Sequence, residues 1–172
     1  EALPARLHEA VRTAYLLCRI VDTVEDAPGL PAADRNALFD ELEALVRDDG
    51  LDAAPFTTLA GRLGLGGERA DGVLCRGAAA TFRCFRALPG VERDAIRPYV
   101  LEMSRGMREY CARAAAAGGV LRMRDLADLE RYCYYVAGTV GHLLTELFER
   151  EIPALSPERR ATIRTHAVSF GL

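Results

Sequence analysis

Apolar residues along this chain recur at helical spacing, and strand signals are scarce. β-Branched residues are scattered among Ala, Leu, Arg and Glu, the residues that lose least on entering a helix. The first helix is predicted from about Pro4 to Asp26. Ala27-Pro28-Gly29 ends it, since Pro28 disfavours helix in the residue before it and Gly29 supplies a turn. A second helix runs from Asp34 to Val46, with Leu38, Leu42, Leu45 and Val46 as its stripe and Gly50 as its stop. Leu63 to Gly67 reads as a loop. A helix pair follows, from about Ala70 to Leu88, closed by Pro89-Gly90, and from Glu92 to Ala117, closed by Gly118-Gly119. The longest helix is predicted from about Arg124 to Glu149, ending at Ile152-Pro153. Ser156-Pro157-Glu158 then has the pattern of an N-cap with proline at the first helical position of a last helix. The chain is therefore read as all-α, with six or seven helices and no internal repeat or linker.

Two of these helices carry more than a core stripe. Tyr15, Arg19, Asp22 and Asp26 lie at offsets 0, 4, 7 and 11 and share one helical face. Asp22 and Asp26, one turn apart, direct carboxylate oxygens to a common side. Hard cations such as Mg²⁺ are commonly held by one or two carboxylates plus substrate phosphates, so a diphosphate would complete such a site. Arg19 adds a forked donor for the same phosphate oxygens. The plainer reading is a solvated acidic face with an ion pair from Arg19 to Asp22 or Asp26. Apolar neighbours Leu16, Leu17, Cys18, Ile20, Val21 and Val24 point to acids beside a core, where like charges call for a cation.

In the long C-terminal helix, Tyr132, Val136, Val140 and Leu144 form a second stripe, beside the small residues Ala137, Gly138 and Gly141. Glycine inside a helix costs about 1 kcal/mol relative to alanine. The small residues admit either a neighbouring helix or a long apolar ligand close to the backbone, or both.

Composition narrows the function classes. The 172 residues suit one domain, able to bury roughly 70% of its unfolded surface. Half of them are hydrophobic and 27% charged, with a net charge of −3, which excludes disorder and argues against nucleic acid as a partner. The five cysteines, Cys18, Cys75, Cys84, Cys111 and Cys133, include no CxxC pair and fit reduced thiols in a cytoplasmic protein. The most apolar stretch, Tyr132 to Phe148, is interrupted by His142 and Glu146 and falls short of the roughly 20 residues of a membrane span. His8, His142 and His166 lack HExxH spacing, which argues against zinc. The loop LGLGG lacks the preceding strand and terminal Lys-Ser/Thr of a phosphate loop. Arg76, Arg83, Arg86, Arg93 and Arg97 are read as solvated faces.

AYLLCRIVDTVED at residues 14–26 and RYCYYVAGTVGHLLTELF at residues 131–148 together closely resemble the squalene/phytoene synthases, the bacterial squalene synthases in particular. MSRGMREY at 103–110 and HAVSFGL at 166–172 extend the resemblance. It implies an isoprenoid-synthase-type helical bundle. It also implies that Asp22 and Asp26, with Glu25 in support, bind Mg²⁺ and prenyl diphosphate, that Tyr15 and Arg19 contact diphosphate, and that Tyr132 acts in catalysis or carbocation stabilisation. Val136, Ala137, Val140, Gly141 and Leu144 correspond to positions lining the hydrocarbon channel. The family's Ser-rich segment before the first acidic helix and its second aspartate-rich motif do not occur here. Residues 1–172 are thus expected to be a single partial domain, truncated at both ends and inactive alone.

The activity so implied is a Mg²⁺-dependent head-to-head condensation of two farnesyl diphosphates through a cyclopropyl diphosphate. NADPH serves as reductant if the product is squalene. A phytoene or dehydrosqualene synthase, using geranylgeranyl or farnesyl diphosphate, is the alternative, and a non-catalytic assembly or lipid-binding module of the same fold is the rival from another class. The expected partner is a prenyl diphosphate, with peripheral membrane contact for product release and a cytoplasmic or membrane-associated location.

Overall fold

Pro4 and Asp26 bound the first helix, α1 (Ala5–Glu25), in the computed structural model, which describes residues 3–152 and 154–171. The turn beyond it has Gly29 at φ +72°, the left-handed region that glycine enters without penalty. Arg35 ties this turn down, donating from Nε to the Val24 carbonyl at 3.2 Å and from Nη2 to the Ala27 carbonyl at 2.7 Å. α2 (Ala32–Arg47) starts earlier than its stripe suggests because Pro31 occupies the N-cap. A 3₁₀ turn (Ala54–Thr58) and the short α3 (Leu59–Arg62) follow in a stretch with no predicted element, and bury Phe56, Leu59 and Ala60. Residues 63–67 form the expected loop, with Gly64 and Gly67 both at positive φ.

Three predicted helices are divided, giving more segments than six or seven. The one placed at 70–88 is broken at Gly77, where ψ rises to 2°, into α4 (Ala70–Arg76) and α5 (Ala78–Ala87). α6 (Gly90–Ala116) is continuous and carries Pro98 on its exposed side. The helix placed at 124–149 comprises α7 (Leu126–Cys133), a π-helical turn (Tyr134–Gly138) and α8 (Thr139–Glu151). A π turn inserts a residue and so resets the faces of the helix beyond it. The last helix is α9 (Pro157–Thr165) and α10 (Ala167–Gly171), separated at His166, where ψ is again near zero. Ser156 caps α9 as expected. Pro153 and Leu172, which belong to the predicted end of the long helix and to the C-terminal motif, lie outside the described residues. The fold class is all-α, with no strand among the described residues.

α6 lies at the centre, packed by α1, α2 and α8, while α5 covers another side of α1. Fully buried Ile20 and Val24 of α1, Phe39 and Leu42 of α2, Phe82 and Phe85 of α5, and Ile96, Val100 and Met107 of α6 make the core. Gly106 of α6 lets Tyr135 of the π turn come close, since a Cβ at that position would stand 2.1 Å from the tyrosine ring. α7 is pinned by Asp128, buried to 4% exposure, which accepts both Arg113 Nη atoms, the Arg124 amide at 2.9 Å and the Tyr110 hydroxyl at 3.1 Å. Those donors hold its carboxyl well below the usual carboxylate range. Buried Glu149 ties α8 to α9 through Arg160 and Arg164, and buried Glu43 ties α2 to α6 through Ser104 and Arg108.

Candidate functional site

The C-terminal turns of α1 place Arg19, Asp22, Glu25 and Asp26 along one edge of its buried face. Leu17, Cys18, Ile20, Val21 and Val24 are buried as expected, and Leu16 is half-buried. The acids are graded: Asp22 and Glu25 are half-buried, whereas Asp26 is exposed. Arg19 pairs with Asp22 on its own helix, which is the plainer reading of the motif, and also reaches Asp71 of α4 at 2.9 Å. Glu25 turns the other way and accepts the Tyr132 hydroxyl of α7 at 3.3 Å. Asp26 lines two adjoining cavities. One, of about 540 Å³, also has Arg19, Thr23, Leu65, Arg69 and Asp71 on its walls. The other, of about 580 Å³, runs past Glu25, Arg35, Tyr110 and Cys111 to Ala114 and Ala115, the alanine run of α6.

Electrostatics single out these acids. Burial raises the pKa of Asp22, helped by Asp26 and Asp71 and opposed by Arg19. Glu25 is pushed up to about 7 by burial and by the charges of Asp26 and Asp22. Burial and the neighbouring Glu25 also raise the Tyr132 phenol, which therefore stays protonated at neutral pH. Crowded carboxylates in partial desolvation are a donor set that a hard divalent cation relieves, and all their ligating atoms are oxygens, as Mg²⁺ prefers. The residues fit Mg²⁺ in that sense. Among the described residues no three His, Cys, Asp or Glu side chains converge on one point, because Asp22 is drawn to Arg19 and Glu25 to Tyr132. The chain offers one or two carboxylates and leaves the other ligand positions to phosphate or water.

Towards the N-terminus of α1 the surroundings become apolar. A cavity of about 290 Å³ is lined by His8, Val11, Arg12, Ala14, Tyr15 and Cys18 of α1 and by Val140, Leu143 and Leu144 of α8. Tyr15, 58% exposed, thus stands on the apolar cavity, about 10 Å along the helix from Asp22 at 1.5 Å per residue. Val136 packs partly buried against the core. Gly141 instead seats α10, since a Cβ there would lie 1.8 Å from the Ala167 carbonyl oxygen, and the Ala137 carbonyl lies against Gly171 in the same way. Ala137 and Gly141 therefore hold a neighbouring helix, while Val140 and Leu144 face the cavity. Burial pushes Cys18 up to about 12 and Cys111 to about 11, so both thiols are apolar lining rather than nucleophiles. His142 does not line this cavity and is stacked on Tyr99 with centroids 6.2 Å apart.

Sequence reasoning missed Asp71 and Tyr110. Tyr110 is fully buried, with its ring edge-on to Tyr132 at 5.0 Å and its hydroxyl donated to the Asp128 carbonyl at 2.8 Å. Tyr110 ends the MSRGMREY segment but carries no pattern that links it to Tyr132, and Asp71 is separated from Arg19 by 52 positions, so spacing carries no trace of either pairing.

Arg93 and Arg97 are taken up by Asp49, Arg113 and Arg124 by Asp128, and Arg160 and Arg164 by Glu149. Among the described residues no helix is long and apolar enough to cross a membrane.

Comparison with known proteins identifies the family. The family model described as squalene/phytoene synthase matches residues 1–172. The chain is 28% identical over 148 residues to squalene synthase ERG9 of Candida albicans, and 28% identical over 146 residues to squalene synthase of Schizosaccharomyces pombe. It covers 86% and 85% of its own length in these matches but only 31% and 30% of theirs, so it spans about a third of these relatives. A solved structure of TcSQS with the ligand BPH1237 superimposes with a TM-score of 0.72 at 26% identity, over 98% of this chain and 44% of that one.

Proposed function

Because the chain belongs to the squalene/phytoene synthase family, we propose that the protein joins two farnesyl diphosphates head to head by way of a cyclopropyl diphosphate. One observation carries this reading. α1 carries a carboxylate cluster, hydrogen-bonded to Tyr132, at its C-terminal end, and nearer its N-terminus it walls a 290 Å³ apolar cavity with α8, which matches an amphiphile with an anionic head and a hydrocarbon tail. The names of the matched squalene synthases support the farnesyl chain length.

In this reading Asp22 and Asp26 hold Mg²⁺, with Glu25 beside them. Bound there, Mg²⁺ supplies the positive charge that offsets the negative charge gathering on a departing diphosphate. Arg19 directs its guanidinium at the same phosphate oxygens. The C1–O bond of one substrate breaks and the electron pair leaves with the diphosphate. The C2=C3 double bond of the second substrate then attacks the allyl cation, and loss of a proton closes the cyclopropyl ring. Tyr132, neutral and anchored by Glu25, presents its hydroxyl and ring to the cationic carbon. Tyr15, Val140 and Leu144 wall the chain, while Ala137 and Gly141 fix that wall by seating α10. Excluding water from this channel keeps the cations from hydrolysis.

The test is Asp22→Asn and Asp26→Asn in the protein at its full natural length. Each is expected to abolish Mg²⁺-dependent diphosphate release from farnesyl diphosphate with an unchanged melting temperature. Retained release would overturn the assignment. Product analysis with and without NADPH separates squalene from dehydrosqualene.

A further inference from the structure

The Arg19 guanidinium is shared between two carboxylates on different helices. One nitrogen binds Asp22, a helical turn away, and the other binds Asp71 from the first turn of α4 at 2.9 Å. Arg19 and Asp71 are both more than a third exposed, and ion pairs in such settings add little to stability. Their geometric effect is larger. Arg19 and Asp71 line the same 540 Å³ cavity as Asp26 and Arg69. Any cation that takes Asp22 removes one of Arg19's two tethers, and a flexible side chain would then be free to swing. Asp71 keeps the other nitrogen fixed, so the freed donors stay directed at the cavity. Fixing a donor before the anion arrives is how an outer contact tunes a binding group.

We propose that Asp71 is a positioning residue, which holds Arg19 aimed at the phosphate oxygens of the substrate once Asp22 is engaged by a cation. This rests on the function proposed above. It assigns to α4 a part in that site, acting through Arg19 and without contact to the anion.

The experiment is calorimetric titration of inorganic pyrophosphate, with saturating Mg²⁺, into the protein at its full natural length and into Asp71→Asn, Asp71→Glu, Arg19→Ala and the Arg19→Ala/Asp71→Asn pair. Asp71→Asn is expected to weaken pyrophosphate about tenfold, the size typical of losing an outer partner. Asp71→Glu should recover most of the affinity, and Asp71→Asn should add nothing in the Arg19→Ala background. The proposal is overturned if Asp71→Asn leaves affinity unchanged or tightens it, as relief of repulsion would. It is equally overturned if the loss persists without Arg19. Should Arg19→Ala itself bind pyrophosphate normally, the placement of Arg19 in the functional reading falls as well, whereas a loss in Arg19→Ala alone leaves that reading standing and removes only the role of Asp71.

Discussion

Tyr132 donates its hydroxyl to Glu25 across 107 positions of sequence, joining α7 to the acidic end of α1. The tyrosine ring is braced from behind by Tyr110, whose own hydroxyl is anchored at Asp128. Tyr132→Phe keeps this packing and removes one half-buried hydrogen bond, so folding stability should fall by only about 1 kcal/mol. Turnover of farnesyl diphosphate should drop about a hundredfold if the hydroxyl serves the reaction. Denaturant melts alongside product assays separate the two effects, and turnover equal to the parent would remove Tyr132 from the mechanism.

The contact between Gly141 and the Ala167 carbonyl leaves no room for a side chain. Gly141→Ala must push α10 off α8, costing about 1–3 kcal/mol as overpacking does. Hydrogen exchange should show faster opening at residues 167–171 while α2 and α5 remain protected. Unchanged protection in α10 would show that the two helices do not share this seat.

Filling the apolar cavity should separate the tail of a ligand from its head. Leu144→Trp adds bulk beside Tyr15 and Val140 and is expected to weaken a farnesyl thiodiphosphate about tenfold. Binding of inorganic pyrophosphate should stay within about twofold, because a tenfold change corresponds to about 1.4 kcal/mol of lost apolar contact and the carboxylate end is untouched. Equal weakening of both ligands would mean that the cavity and the acidic end are not separate parts of one site.

Acid should loosen α7 through Asp128. Its folded pKa lies below the unfolded aspartate value of about 3.9. The stabilisation from its ionised form is therefore complete above about pH 4, and is lost as pH falls from there through the folded value. Asp128→Asn should lower stability at neutral pH and flatten the decline between about pH 4 and pH 2. Melting curves across that range test it, and parallel profiles for the two proteins would rule out Asp128 as the source.

What the sequence determined by itself is local. Helical class, the breaks at Pro28-Gly29, Pro89-Gly90 and Gly118-Gly119, and the shared face of Arg19, Asp22 and Asp26 follow from residue propensity and from a repeat of 3.6, both properties of short windows. The division at Gly77 and the π turn at Tyr134–Gly138 were not legible, because a break or an inserted residue inside a helix reflects how its neighbours pack. Tertiary structure alone decided that Glu25 turns to Tyr132, that Arg19 divides itself between Asp22 and Asp71, and that Gly141 meets a helix while Val140 meets the cavity. Each of these is a choice between partners equally allowed by spacing. It is settled by which groups, distant in the chain, lose their water together when α1 closes against α6 and α8.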